Sequence, residues 1–79
     1  SGAERGGDSQ VSLRCQIPGR VVSINAYVGD RVKKGDVLCV LESMKMQLSI
    51  KSHKDGLIKS IKIKQGASVA KNDVMMEIE

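Results

Sequence analysis

An internal repeat constrains this chain more than any other feature. Slid against itself by 37 positions, the segment 11–42 aligns without a gap to 48–79. Ten of the 32 pairs are identical: Ser12/Ser49, Gly19/Gly56, Ser23/Ser60, Ile24/Ile61, Gly29/Gly66, Val32/Val69, Lys34/Lys71, Asp36/Asp73, Val37/Val74 and Glu42/Glu79. Average residue usage would give about two. Val11/Leu48, Leu13/Ile50, Arg14/Lys51, Val21/Ile58, Leu38/Met75 and Leu41/Ile78 keep residue type in the same register. A chain of 79 residues has material for one small core, so the two halves must share it. That arithmetic predicts a single pseudo-twofold domain, with no room for a second catalytic domain within these 79 residues.

Within each repeat the period is two. Val11, Leu13, Cys15 and Ile17 alternate as a strand with one buried face requires. Pro18-Gly19 reads as a turn, followed by strands over Val21–Ala26 and Ile58–Ile63. Gly29-Asp30 and Gly66-Ala67 turn the chain again, since glycine reaches positive φ without a steric penalty. Short strands are expected around Val32 and Val69. Turns at Lys34-Gly35-Asp36 and Lys71-Asn72-Asp73 follow, with asparagine standing in for glycine because it tolerates the left-handed region. Val37–Leu41 and Val74–Ile78 close the halves as buried strands.

Valine and isoleucine total 16 against five leucines and four alanines, which favours pleated surfaces over helices. One stretch, Leu57–Lys64, also has the pattern of a basic amphipathic helix. Its repeat mate, Arg20–Tyr27, lacks the basic face, and three isoleucines in eight residues favour a strand. The predicted fold is all-β, a flattened antiparallel barrel or sandwich of two four-stranded sheets with a pseudo-twofold. Residues 1–10 have nothing to bury and read as a flexible linker or an expression remnant, leaving 11–79 as the domain.

Composition narrows the function. The longest apolar run, Val37–Leu41, is five residues, too short for a membrane span. Tyr27 is the only aromatic residue, so no platform for stacking nucleic-acid bases exists, and a net charge of +4 is ordinary for a solvated surface. Cys15 and Cys39 lack CxxC spacing and read as core thiols of a reducing compartment, with a single disulfide as the lesser alternative. His53 stands alone, so no metal cluster is expected, and it reads as a surface residue. Neither a GxxxxGK phosphate loop nor a paired nucleophile and base is present, which points to a carrier rather than an enzyme. The N-terminus shows no charged start and apolar run of the kind a signal peptide has.

The repeats are joined by Ser43-Met44-Lys45-Met46-Gln47, the hairpin bridge 43–47, with Lys45 near its tip. Ordinary tight hairpins favour Asn, Asp and Gly there. Two methionines flanking an ammonium are wasted on a solvent-facing tip unless something docks on them. Glu42-Ser43-Met44-Lys45-Met46, with Pro18-Gly19 upstream and Asp55-Gly56 downstream, resembles the biotinyl domain of biotin-dependent carboxylases. The likeness runs from residue 11 to residue 79.

That resemblance implies a flattened eight-stranded barrel in which Lys45 carries covalent biotin, attached as an amide by a biotin protein ligase. Met44 and Met46 would be the recognition flank. The partners implied are a biotin carboxylase, which loads a carboxyl group onto the arm, and a carboxyltransferase, which removes it. The domain itself is a non-catalytic biotin carboxyl carrier. Lysine stem and biotin chain together reach ~14 Å, from about eleven bonds of roughly 1.3 Å advance each.

Ser43 and Cys15-Gln16 depart from the commonest family pattern without removing a reacting group. The lack of an insertion between Ile24 and Val32 resembles the compact carriers of multi-domain carboxylases, with an acyl-CoA carboxylase as the expected parent. Cytoplasm or mitochondrial matrix is the expected location. Two alternatives stand beside this reading. One is a lipoyl carrier of a 2-oxo-acid dehydrogenase, although Met44 stands where lipoyl hairpins usually place an acid. The other is an unmodified β-barrel interaction module. Glu42 and Asp55 read as solvated strand-end charges rather than groups that orient Lys45.

Overall fold

The computed structural model describes residues 10–79. Most of the expected linker, residues 1–10, therefore lies outside the described residues. The chain forms eight strands: β1 (Val11–Arg14), β2 (Gly19–Ile24), β3 (Arg31–Val32), β4 (Val37–Ser43), β5 (Met46–Lys51), β6 (Gly56–Ile61), β7 (Ser68–Val69) and β8 (Val74–Ile78). Leu57–Ile61 lies in β6, so the helical alternative for this stretch fails.

Two four-stranded antiparallel sheets have the orders β1-β8-β6-β3 and β5-β4-β2-β7. The offset of 37 carries β1, β2, β3 and β4 onto β5, β6, β7 and β8, and so carries one sheet order onto the other. The halves are interleaved. Each sheet takes two strands from each repeat, so neither repeat owns a sheet.

The core is doubled in the same way. Val21 and Ile58, Leu38 and Met75, Cys39 and Met76, Leu41 and Ile78, and Val32 and Val69 are all buried pairs. Cys15 and its mate Ser52 are buried too. The Cys15 thiol donates to the Ile17 carbonyl at 2.9 Å and the Ser52 hydroxyl to the Lys54 carbonyl at 2.6 Å. A polar hydrogen buried this deep needs an acceptor, and both positions find theirs two residues ahead.

Several repeat identities acquire a cause. Asp36 and Asp73 accept from the backbone N–H three residues back, Lys33 at 2.9 Å and Ala70 at 2.8 Å, closing the turns before β4 and β8. Gly35 and Asn72 both have positive φ, 96° and 76°, as their exchange in the sequence suggests.

Gly19 behaves differently from the expectation that Pro18-Gly19 makes a turn, and its mate Gly56 behaves as it does. Each opens a strand, β2 or β6, and neither has positive φ. A Cβ on Gly19 would lie 2.5 Å from the Glu42 carbonyl oxygen, and one on Gly56 would collide with the Glu79 carbonyl. Close backbone approach selects glycine here.

Three apolar expectations need correction, the first being Val11, which opens the edge strand β1 and is 36% exposed. Ile17 is 47% exposed, because β1 stops at Arg14 after a register shift and the chain beyond Cys15 leaves the sheet. Val37, at the outer end of β4, is 39% exposed, and burial in β4 begins at Leu38.

β4 links the two ends of the domain. At its start, the Lys33–Asp36 turn lies beside Gly56, which pairs with Val32 and touches Glu79. Val11 pairs with Ile78 at the same end. From there the seven residues of β4 run ~20 Å to Ser43 at the opposite end, where the chain reverses.

Candidate functional site

The reversal between β4 and β5 is tighter than the five-residue bridge suggested. Leu41 pairs with Leu48, Glu42 with Gln47 and Ser43 with Met46, so only Met44 and Lys45 remain as the turn. Their φ values are 53° and 68°, both left-handed, as a two-residue type I′ hairpin demands. Asparagine and glycine are the usual solution, because other side chains meet the backbone in this region. A Met-Lys pair holds the geometry only because the ladder on either side imposes it.

That ladder is well anchored. β4 is an inner strand between β5 and β2, with Arg20 opposite Glu42 and Val21 opposite Leu41. Leu41 and Val21 are each 1% exposed, which pins the base of the hairpin to the core. Gly19 lets the Glu42 carbonyl approach the β2 backbone. The sequence did signal this support residue, as the identity Gly19/Gly56, but glycine's two uses could not be told apart there.

At the tip the side chains face solvent. Met44 is 89% exposed and Met46 63%, whereas the other two methionines, Met75 and Met76, are 1% and 0% exposed. Lys45 is exposed and makes no hydrogen bond or ion pair with any described residue. Its ammonium is thus unencumbered.

The acids first weighed as partners do not orient it. Glu42 is exposed on the strand and forms no ion pair with Lys45. Asp55 precedes β6 at the other end of the domain, where its carboxylate accepts from the Lys34 N–H at 2.8 Å. The sequence motif that joined Asp55 to the hairpin therefore spans opposite ends of the fold.

Other reactive groups lie apart. His53 is exposed, and no group of three metal-ligating side chains converges among the described residues. Cys15 and Cys39 are buried free thiols, and no disulfide joins them. Burial, with a smaller contribution from neighbouring Cys15, pushes the Cys39 thiol up to about 11. An open groove of about 480 Å³ between β1 and β5, floored by Leu13, Ile50 and Met75, includes no hairpin residue.

An all-β body that presents an exposed lysine on a forced left-handed turn has the geometry a covalent carrier domain needs. Residues 13–78 match the biotin/lipoyl attachment family, described as "Biotin-requiring enzyme", and the chain belongs to that family. It is a biotin carboxyl carrier domain, with biotin as its cofactor.

Over 72 residues it is 38% identical to the propionyl-CoA carboxylase alpha chain of Ruegeria pomeroyi, covering 91% of this chain and 11% of that one. It is also 32% identical over 68 residues to the biotin/lipoyl attachment protein of Bacillus subtilis, covering 86% of this chain and 93% of that protein. Among solved structures, the Kluyveromyces lactis urea carboxylase superposes with a TM-score of 0.83 at 30% identity, over 89% of this chain and 6% of that one. The chain thus spans about a tenth of the carboxylase subunit it matches.

The residues present fit the cofactor. An exposed primary amine with no hydrogen-bond or ion-pair partner among the described residues, on a turn whose flanking side chains are themselves exposed, suits an amide-linked group.

Proposed function

We propose that Lys45 is the acceptor that a biotin protein ligase acylates, and that Met44 and Met46 are the flank the ligase reads. The observation that carries this reading is the turn itself, where the free lysine projects between two exposed thioethers. The unprotonated Lys45 amine attacks the carboxyl carbon of biotin, which ATP has activated as an anhydride with the nucleotide phosphate; the C–N bond of the amide forms, the C–O bond to the phosphate breaks, the nucleotide leaves and the nitrogen loses a proton. Lysine is required, because arginine stays protonated and cannot form this bond. The methionines offer polarizable apolar contact that adapts to a partner surface.

Biotin, once attached, supplies a ring nitrogen that accepts and releases a carboxyl group. The chain's own contribution is mechanical. The β4–β5 ladder holds the lysine Cα fixed, and the unpaired side chain above it is free to swing. Tethering raises the effective concentration of the carried group at each site it visits.

In this reading the sites belong to a biotin carboxylase and a carboxyltransferase, and the parent is an acyl-CoA carboxylase. Similarity to a propionyl-CoA carboxylase alpha chain supports that choice. Two buried free thiols support a reducing compartment, either cytoplasm or mitochondrial matrix.

The test is in vitro ligation. Incubation with biotin, ATP and a biotin ligase should add one biotinyl group, mapped by peptide mass spectrometry to Lys45. Lys45→Arg should abolish it, with Lys51→Arg and Lys54→Arg without effect. Acceptance of lipoate from a lipoyl ligase together with refusal of biotin would overturn the assignment.

A further inference from the structure

The domain holds six sulfur atoms, in four methionines and two cysteines. Four of them are sealed in the core: Cys15, Cys39 and Met76 are 0% exposed and Met75 is 1%. The remaining two, in Met44 and Met46, are open to solvent and stand on either side of Lys45. Thiols normally outcompete thioethers for oxidants through their thiolate form, yet here both thiols are buried, and burial also keeps Cys39 protonated. The fold therefore directs a small oxidant to the hairpin.

We propose that Met44 and Met46 form a peroxide-sensitive modification site whose oxidation switches off biotin acceptance at Lys45. This deepens the ligation reading and rests on it.

The step balances without a further reactant. A thioether lone pair attacks one oxygen of hydrogen peroxide, the O–O bond breaks and an S–O bond forms. Sulfur loses two electrons, peroxide gains them, and the second oxygen leaves as water after proton transfer. The product is a sulfoxide, a polar group with a strong acceptor oxygen. Docking on the ligase would have to strip water from that oxygen at the place where an apolar contact was made. A dithiol-dependent methionine sulfoxide reductase returns the two electrons and restores the thioether, so the site is reversible.

Neither β4 nor β5 has to move, because both side chains are exposed and neither belongs to the buried core. Oxidation should therefore alter recognition and leave the fold intact.

The experiment treats unbiotinylated protein with hydrogen peroxide, removes the excess with catalase, and then adds biotin, ATP and ligase. Peptide mapping should show one-oxygen increments at Met44 and Met46 well before Met75 or Met76. Ligation kcat/KM should fall by about tenfold or more, the equivalent of ~1.4 kcal/mol of lost contact. Treatment with the two epimer-specific sulfoxide reductases should restore it.

The double variant Met44→Leu/Met46→Leu supplies the control. Whatever its starting rate, that rate should be the same with and without peroxide. Equal ligation of oxidised and untreated wild type, or oxidation of Met75 and Met76 at the same pace as the hairpin pair, overturns the proposal. Untreated wild type that takes no biotin at all overturns the ligation reading itself, and the switch with it, whereas the peptide map still reports the oxidation pattern.

Discussion

Replacing the turn residues by the pair that the turn type favours should make the domain more stable and useless as a carrier. Met44 and Lys45 hold φ of 53° and 68°, a region that costs a residue with a Cβ roughly 1–2 kcal/mol. Met44→Asn recovers part of that cost, because asparagine tolerates the left-handed region. Lys45→Gly recovers nearly all of it, less ~0.4–1 kcal/mol for the extra freedom glycine gives the unfolded chain. Nothing is lost from packing at Met44, which is 89% exposed.

The double variant should therefore gain ~1 kcal/mol. In a domain this small that is a rise of about 4–8 °C in Tm, or ~0.5–1 M in the urea midpoint. Far-ultraviolet circular dichroism is the suitable probe, since the only aromatic residue, Tyr27, is 69% exposed and reports poorly on the core. Met44→Ala/Lys45→Ala is the control, because alanine keeps the left-handed cost and should gain nothing. A double Asn-Gly variant no more stable than wild type, or an alanine pair that matches it, would refute the claim that the backbone is strained at the tip.

Leu41→Ala, which empties a fully buried site beneath the hairpin, should cost ~2–5 kcal/mol in denaturant unfolding, whereas Val37→Ala, at a 39% exposed position, should cost under ~1 kcal/mol. Gly19→Ala should destabilise the fold by more than ~1 kcal/mol, because its Cβ meets a backbone carbonyl that cannot step aside; an unchanged unfolding midpoint would show that β2 and β4 are free to separate. The unfolded chain releases the Cys39 proton near pH 9.0 while the folded chain retains it to about 11, so stability should fall as pH rises through that window. The slope should flatten in Cys39→Ala, and equal slopes for the two proteins would count against a protonated core thiol.

The strand sequence and the hairpin were legible because the repeat supplied two readings of every position. Asn72 opposite Gly35, for instance, pointed to a left-handed turn that neither residue would have established alone. Sheet membership was not legible. A pattern of alternating residues says which face is buried but not which strand lies alongside, so the interleaving of the halves had no signal in the pattern. Ile17 and Val37 were misplaced for a related reason, since hydrophobicity marks a candidate for burial and only the ends of the ladders decide whether it is covered. The candidate site was legible as a residue pattern, Met44-Lys45-Met46, but its geometry was not. Methionine and lysine carry no turn propensity, so the left-handed pair is visible only once Ser43 is seen opposite Met46.

The interleaving bears on how many arms such a body can have. Of the ladders in which the first repeat takes part, only β2–β4 is internal to it; β1 and β3 find partners solely in the second copy. A lone repeat would be a two-stranded ribbon, marginal in water, whose route to a closed core is to meet its twin across a twofold axis. The domain is in effect that homodimer fused into one chain, and the fusion joint is the Met44–Lys45 turn. Twofold symmetry would offer two equivalent ends for a prosthetic group, but a single splice marks only one of them. One arm per domain thus follows from how the copies are stitched together, with the proposed attachment point on the stitch itself.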